Sequence, residues 1–300
     1  MKTYKIAIIG VKEDTNKLLQ EFANDINLCI TLHAAERYKY DISGGLTQIN
    51  SNVQVFYSDS YVFNSPVCKQ FFSKNQFDIG IVLGWQRIIP KYVLDCFNVG
   101  VFGWHASPLG LPFGKGRSPL NWSTILGFDK VYNHCFKYNK NVDDGMIYKT
   151  TILDILPWDT ISSLREKNLI DIIETTKNLL NDYHNDTIQL IEQDTSIPES
   201  YFPKRTAMDG KIDLTKSTID IFNLIRGCSK PFPGAFLYVK NTNVIVKIWK
   251  AVPYSFKLFN EAVIGEIVYM SDQGPILKTK DGTLLITEYE YELKLGDNLV

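Results

Sequence analysis

Residues 4 to 10, Tyr-Lys-Ile-Ala-Ile-Ile-Gly, form a near-continuous apolar run ending in glycine. A polar stretch from Val11 to Asn24 follows, in which Leu18, Leu19 and Phe22 recur at helical spacing. This predicts a buried strand and then an amphipathic helix. Strand-like runs return at 28–32, 53–57, 77–83 and 99–104, with helical patterns at 67–73 and 91–97. Strands that are apolar throughout and alternate with helices imply an α/β arrangement, a mostly parallel sheet with helices on both faces. The pattern continues through a helix at 119–127 and strands near 131–138 and 146–153. A long helix follows the Asp159-Thr160 start, carrying Leu164, Leu169, Ile172, Ile173 and Leu179 on one face.

Between Asn181 and Arg205 the chain turns polar and is interrupted by Pro198 and Pro203, which places a linker at 186–205 between a first domain, 1–185, and a second, 206–300. The second domain opens with a helical segment, 217–227. Short alternating runs then occupy 235–240, 244–251, 263–270, 275–279 and 284–290, punctuated by Gly, Asn and Asp, as expected of a small, mostly antiparallel β unit.

Composition removes several functional classes. Lys plus Arg is 32 and Asp plus Glu is 33, a net charge of −1, so no basic excess points to a polyanionic partner. The longest apolar stretches are far short of the roughly 20 residues a membrane span requires, and the start of the chain lacks the apolar core of a secretory signal. Five scattered cysteines, with no Cys-x-x-Cys pair, argue against a disulfide framework or a zinc site and fit a reducing cytoplasm. The first β/α turn has only Gly10, so the dinucleotide fingerprint is missing. No two of the four histidines have metal-pair spacing, so no metal is expected.

Two patches carry candidate chemistry. His105, in Phe-Gly-Trp-His-Ala-Ser-Pro, falls at the carboxyl end of a predicted parallel strand, where open α/β sheets bind ligands. After it, Gly110 to Ser118 reads as a turn-rich loop entering the helix at Pro119. Lys115 and Arg117 there suit a phosphate, or are two solvated loop cations. The second patch, Asn141-Val-Asp-Asp-Gly-Met146, is by itself a plain β-turn. An Asp brought beside His105 would fix the imidazole tautomer and suit it to proton transfer.

At these two patches the sequence resembles the folate-dependent formyltransferase family, whose hallmark is Asn-x-His, a Ser two residues on, Leu-Pro-x-x-x-Gly-x-x-Pro, and a later Asp-x-Gly turn. The matching text is His105, Ser107, Leu111-Pro112, Gly116, Pro119 to Trp122, and Asp143-Asp144-Gly145. Pro203–Thr206, Asp209–Asp213, Asn223–Gly227, Pro231–Ala235 and Lys247–Lys250 are similar to the carboxyl-terminal region of methionyl-tRNA formyltransferase and of similar sugar-modifying enzymes. The resemblance implies a Rossmann-like domain that binds 10-formyltetrahydrofolate, followed by an OB-like β barrel. It further implies that His105 takes the proton of an attacking amine while Asp143 holds and charge-stabilises it. The pterin would lie against Trp85, Gln86, Arg87 and Ile88, and against Asn141, Val142 and Asp144. The family Asn, whose amide steadies the oxyanion, is Gly103 here; backbone N–H groups, Asn121 and Ser107 are candidate replacements. Losing one oxyanion donor typically costs about 10²- to 10³-fold in rate.

Members that act on tRNA carry a basic insert after the second strand, whereas 34–45 here has two basic and two acidic residues. The expected acceptor is therefore a nucleotide-linked amino sugar, such as a dTDP- or UDP-4-amino-4,6-dideoxyhexose of lipopolysaccharide O-antigen synthesis. Ser107, Lys115, Arg117, Tyr38 and Tyr40 are the candidate substrate contacts. Similar sugar enzymes dimerise, and 13% aromatic content leaves apolar surface for a homodimer. The alternatives are methionyl-tRNA as acceptor, or an inactive folate-binding homologue.

Overall fold

A computed structural model describes residues 4–10, 13–22, 28–35 (backbone only) and 53–300. The chain divides into two compact units: Met1–Lys115, Tyr132–Thr151 and Asn168–Ser200 form the first, and Gly116–Val131, Ile152–Lys167 and Tyr201–Val300 the second.

The first unit is built on β1 (Tyr4–Gly10), β2 (Leu28–Ala35), β3 (Val53–Ser58), β4 (Phe77–Leu83), β5 (Phe97–Ser107), β7 (Lys130–Lys137) and β8 (Ile147–Asp154), in the sheet order β3-β2-β1-β4-β5-β7-β8. The five strands β1 to β5 are parallel; β7 runs antiparallel to β5. The two-residue strands β6 (Lys115–Gly116) and β9 (Tyr201–Phe202) lie outside both large sheets. Because alternate strand residues face opposite sides, Ile6 and Ile8 join one core with Ile79, Ile81 and Phe102. That core is covered by α1 (Glu13–Phe22) through Leu18, Leu19 and Phe22, and by α5 (Ile161–His184) through Ile172 and Leu179. Ala7, Ile9, Val82 and Val101 join the other core, under α2 (Pro66–Lys74) and α3 (Lys91–Leu94). The start of α2 has a local cause: Ser65 caps it by accepting from the Cys68 N–H, and Pro66 occupies the first turn, where no N–H is needed.

Two boundaries differ from the sequence expectation. The short helix ends at Leu94 rather than 97, because the Cys96 carbonyl already accepts from Phe77 N–H (2.9 Å) and Phe97 opens β5. In turn β5 runs to Ser107 rather than 104. Its parallel pairing with β4 stops at Ile81–Phe102, but β7 pairs with it from Phe102–Lys137 to Ser107–Tyr132. That one-sided continuation carries His105 past the carboxyl edge of the parallel sheet.

The stretch expected as a linker is divided between the units. Residues 186–200 belong to the first unit, where Ile191 bridges to Ile147 and Ser200 is bonded to the 112–115 backbone. The polar side chains that make it read as a linker bond to loop backbone and loop side chains instead.

In the second unit, β10 (Ala235–Tyr238), β11 (Ile245–Ser255), β12 (Ile267–Ser271), β13 (Gly274–Lys278) and β14 (Thr283–Glu290) form an antiparallel sheet in the order β10-β11-β14-β13-β12. Residues 297–300 pair with both of its edges: Tyr238 and Val300 exchange two 2.8 Å backbone bonds, and Ile267 N–H donates to Asp297 O (2.8 Å). This closes the sheet into a barrel and leaves neither edge open there. Against it packs α6 (Thr218–Cys228), whose Ile221, Ile225 and Cys228 share a core with Leu237, Ile248, Leu277 and Ile286. The helix α4 (Pro119–Ile125) approaches α6 at Gly227, where a Cβ would meet Ile125 Cγ1 at 2.7 Å.

No helix among the described residues is long and apolar enough to cross a membrane. Nor do they contain a group of three His, Cys, Asp or Glu side chains placed to hold a metal ion.

Candidate active site

All of the site lies in the first unit. Along β5, Phe102 and Trp104 point into the core that also contains Ile6, so Gly103, His105 and Ser107 face the other side. His105 is 5% exposed. Its Nε2 lies 2.7 Å from Gly114 O and its Nδ1 3.4 Å from Asp143 Oδ2. The structure thus places Asp143 beside His105, and the loop after His105 folds back over the ring.

The Asp143 turn is held from three sides. Asp143 has φ +48°, and Gly145 backs onto β7 so closely that a Cβ would be 1.6 Å from Lys137 O. Asn139 Nδ2 donates to Asp144 O (3.0 Å) and Asn141 Nδ2 to Asp144 Oδ2 (2.8 Å). From the 186–200 strap, Gln193 Nε2 donates to the carbonyls of Asp143 (2.9 Å) and Gly145 (3.0 Å).

Lys115 links the strap to this turn. Its Nζ donates to Asp144 Oδ1 (3.0 Å) and Glu199 Oε1 (2.7 Å), and the residue is 2% exposed. Burial alone would lower the ammonium pKa, but the hydrogen bonds that the ammonium donates to Glu199 and Asp144 outweigh it and hold it raised. Asp144 is held below the ordinary carboxylate value by Asn141 and Lys115. This corrects the expectation for Lys115: its charge is already matched by two carboxylates, so it does not present a phosphate-binding surface cation.

Ser107 is also corrected. It is fully buried, and its hydroxyl donates to Phe113 O, which fixes the loop rather than facing a substrate. Asn121 belongs to the second unit, buried, with its amide donating to Gly227 O (2.8 Å). Arg117 is half-buried in that unit and its N–H donates to Phe202 O (3.0 Å). Tyr38 and Tyr40 lie outside the described residues.

The Trp85–Ile88 loop leaves the carboxyl end of β4. Trp85 is its buried anchor, stacked on Phe63 (centroids 4.5 Å, 6°), with an indole N–H that has no hydrogen-bond partner among the described residues. Gln86, Arg87 and Ile88 are exposed, Ile88 by 63%. The Arg87 guanidinium sits 5.1 Å over the Tyr61 ring, and the Tyr61 hydroxyl accepts from Gln86 N–H (3.0 Å). Asn141 and Val142 are likewise exposed.

His134 is a site residue the sequence reading does not single out. It is the cross-strand partner of His105. Its Nε2 accepts from Leu111 N–H (3.0 Å), which leaves Nδ1–H to donate to Thr150 Oγ1 (2.8 Å). Burial, reinforced by the neighbouring His105, pushes its pKa down to about 4, so it stays neutral and keeps the loop acceptor. Pairing β5 with the next strand in register would have found it; Gln193 and Glu199 leave no local signal.

The family described as formyl transferase, C-terminal domain, matches residues 204–294. Methionyl-tRNA formyltransferase of Ruminiclostridium cellulolyticum is 31% identical over 216 residues, 72% of this chain and 67% of that protein. The chain belongs to the folate-dependent formyltransferase family. Methionyl-tRNA formyltransferase of Fusobacterium nucleatum subsp. nucleatum is 29% identical, over 81% of this chain and 76% of its own length. The fold is shared with WlaRD, a sugar 3N-formyl transferase crystallised in the presence of dTDP and 5-N-formyl-THF. That likeness has a TM-score of 0.67 at 18% identity and covers 98% of this chain and 100% of that one. The protein is thus a one-carbon transferase. A buried imidazole beside a carboxylate is a group able to accept and return a proton.

Proposed function

We propose that this formyltransferase moves the formyl group of 10-formyltetrahydrofolate onto the amine of a nucleotide-linked amino sugar, a dTDP- or UDP-4-amino-4,6-dideoxyhexose used for surface polysaccharide such as O-antigen. Residues 1–185 act as the catalytic domain and 206–300 as the accompanying β domain. The observation that carries the choice of acceptor is charge: 32 basic against 33 acidic residues, in a family whose other acceptor, tRNA, is bound chiefly through its phosphates.

The amine nitrogen attacks the formyl carbon, and the C=O π pair moves onto oxygen. His105 Nε2 takes the proton released by the new ammonium. The oxyanion then collapses, the bond to N10 of the folate breaks, and N10 receives a proton from the imidazolium. For Nε2 to act as a base the ring must carry its other proton on Nδ1, facing Asp143. The Gly114 carbonyl, now 2.7 Å from Nε2, must also move aside. The exposed Gln86, Arg87, Ile88, Asn141 and Val142 supply the folate surface, with Asp144 fixing the second loop. A cytoplasmic setting, where folate and sugar nucleotides meet, accompanies this reading.

The second reading is initiator methionyl-tRNA as acceptor, favoured by the identity of about 30% with methionyl-tRNA formyltransferases. Purified protein incubated with 10-formyltetrahydrofolate and, separately, dTDP-linked 3-amino and 4-amino dideoxyhexoses, their UDP counterparts and charged initiator tRNA separates the two. Formylation of a sugar nucleotide is expected; formylation of tRNA alone refutes the proposal.

A further inference from the structure

We propose that the Tyr138 hydroxyl is the side-chain donor that steadies the formyl oxyanion, occupying the space that Gly103 leaves open. The assignment rests on the formyl-transfer reading above. Tyr138 follows β7 directly, and its N–H donates to Val101 O (2.7 Å), which sets its side chain on the His105 face of β5. Its ring leans over Gly103. A Cβ at position 103 would meet Tyr138 Cε1 at 2.4 Å, the hydroxyl oxygen at 2.5 Å and Cζ at 2.7 Å. The phenol end therefore fills the volume from which any side chain two residues before His105 would project. Glycine at 103 is what makes room for it.

Chemistry singles out the same group. As the nitrogen–carbon bond forms and the C=O pair moves to oxygen, the new charge requires a fixed donor beside the base. Among the described residues, the side-chain donors of the two loops at the His105–Asp143 pair are committed elsewhere: Ser107 to Phe113 O, Lys115 to Asp144 and Glu199, Asn139 and Asn141 to Asp144, and Gln193 to the Asp143 and Gly145 carbonyls. The Tyr138 hydroxyl has no hydrogen-bond partner among the described residues. Its ring is held against Phe136 (centroids 5.2 Å, 25°), so the donor is positioned before substrate arrives. Burial, and then the nearby Asp143 carboxylate, push the phenol pKa far up, so the group remains an O–H at neutral pH. The phenol keeps its proton throughout: it hydrogen-bonds the oxyanion, and the proton leaving the amine goes to His105.

The test uses the full chain with 10-formyltetrahydrofolate and the same acceptors: dTDP-linked 3-amino and 4-amino dideoxyhexoses, their UDP counterparts and initiator methionyl-tRNA. Tyr138→Phe removes one oxygen and is expected to lower kcat about 10²- to 10³-fold, with KM for the folate and the melting temperature unchanged. Gly103→Asn alone is expected to lose activity by collision with the ring. Gly103→Asn combined with Tyr138→Ala, which returns an amide donor to the vacated space, is expected to exceed Tyr138→Ala. A Tyr138→Phe enzyme with wild-type kcat, or a double variant no more active than Tyr138→Ala, overturns the assignment. A wild type that formylates none of the acceptors refutes the reaction itself, a separate outcome from a wild type that turns over while Tyr138→Phe is unaffected.

Discussion

Replacing Gly145 with alanine tests whether the Asp143 turn works through its position. The added Cβ would lie 1.6 Å from Lys137 O, whereas carbon and oxygen approach no closer than about 3.3 Å even in favourable C–H···O contacts. The obstacle is backbone carbonyl oxygen on a paired strand, so the turn has to retreat by roughly 1.7 Å, the difference between those two distances. It cannot do so freely, because Lys137 N–H is bonded to Met146 O (2.8 Å) and Gln193 holds the carbonyls of Asp143 and Gly145. Asp143, 3.4 Å from His105 Nδ1, moves with it. A misplacement of about 1 Å near the chemistry can cost 10²-fold, so kcat should fall by about two orders of magnitude. Overpacking should cost about 1–3 kcal/mol of stability. The assay is tetrahydrofolate release with the acceptor that the wild type formylates, beside a thermal melt. If Gly145→Ala melts lower yet keeps wild-type kcat, the turn's position is immaterial and Asp143 is not what orients His105.

Three further outcomes are expected. His105→Ala and Asp143→Asn should each reduce kcat by orders of magnitude while circular dichroism shows an intact fold; near-normal turnover in either removes the assigned role. The lowered Asp144 pKa stabilises the fold above the ordinary carboxylate value, and that contribution is lost as pH falls through the lowered value, so Lys115→Met should make the acid limb of a stability–pH curve shallower in urea titrations. His134, at about 4 when folded against 6.5 unfolded, binds its proton more readily in the unfolded chain, so its contribution is complete above pH 6.5 and declines by about 3 kcal/mol as pH falls to 4. His134→Gln, whose amide oxygen can still accept from Leu111, should remove that decline; an unchanged slope refutes the shift.

The periodicity of the chain conveys its elements because each follows from neighbours close in sequence. Ile6 and Ile8 against Ala7 and Ile9 announce a strand buried on both faces, and the structure places those pairs in two different cores. His105 is a candidate from its place at the end of a strand before Gly-rich text, whereas Asp143 reads by itself as a plain β-turn and only the family resemblance pairs it with His105. Where β5 ends is not legible, since its last residues are held by β7, a strand much later in the chain.

What the sequence conceals is which polar groups already have partners. Lys115 in a Gly-rich loop looks like a solvated cation, but Glu199, which meets it, is 84 residues away, and that pairing converts a candidate phosphate ligand into a strut. The strap around Gln193 and Glu199 has the same ambiguity from the other side. A polar, proline-interrupted stretch has one composition whether water or a catalytic loop satisfies its hydrogen bonds, because composition counts the groups and not their partners. Gly103 extends the point to catalysis. Read alone it is a missing amide; read with Tyr138 over it, it is the clearance that admits a different donor. A substitution at a family position is therefore a loss of function only once the volume it vacates has been seen to be empty.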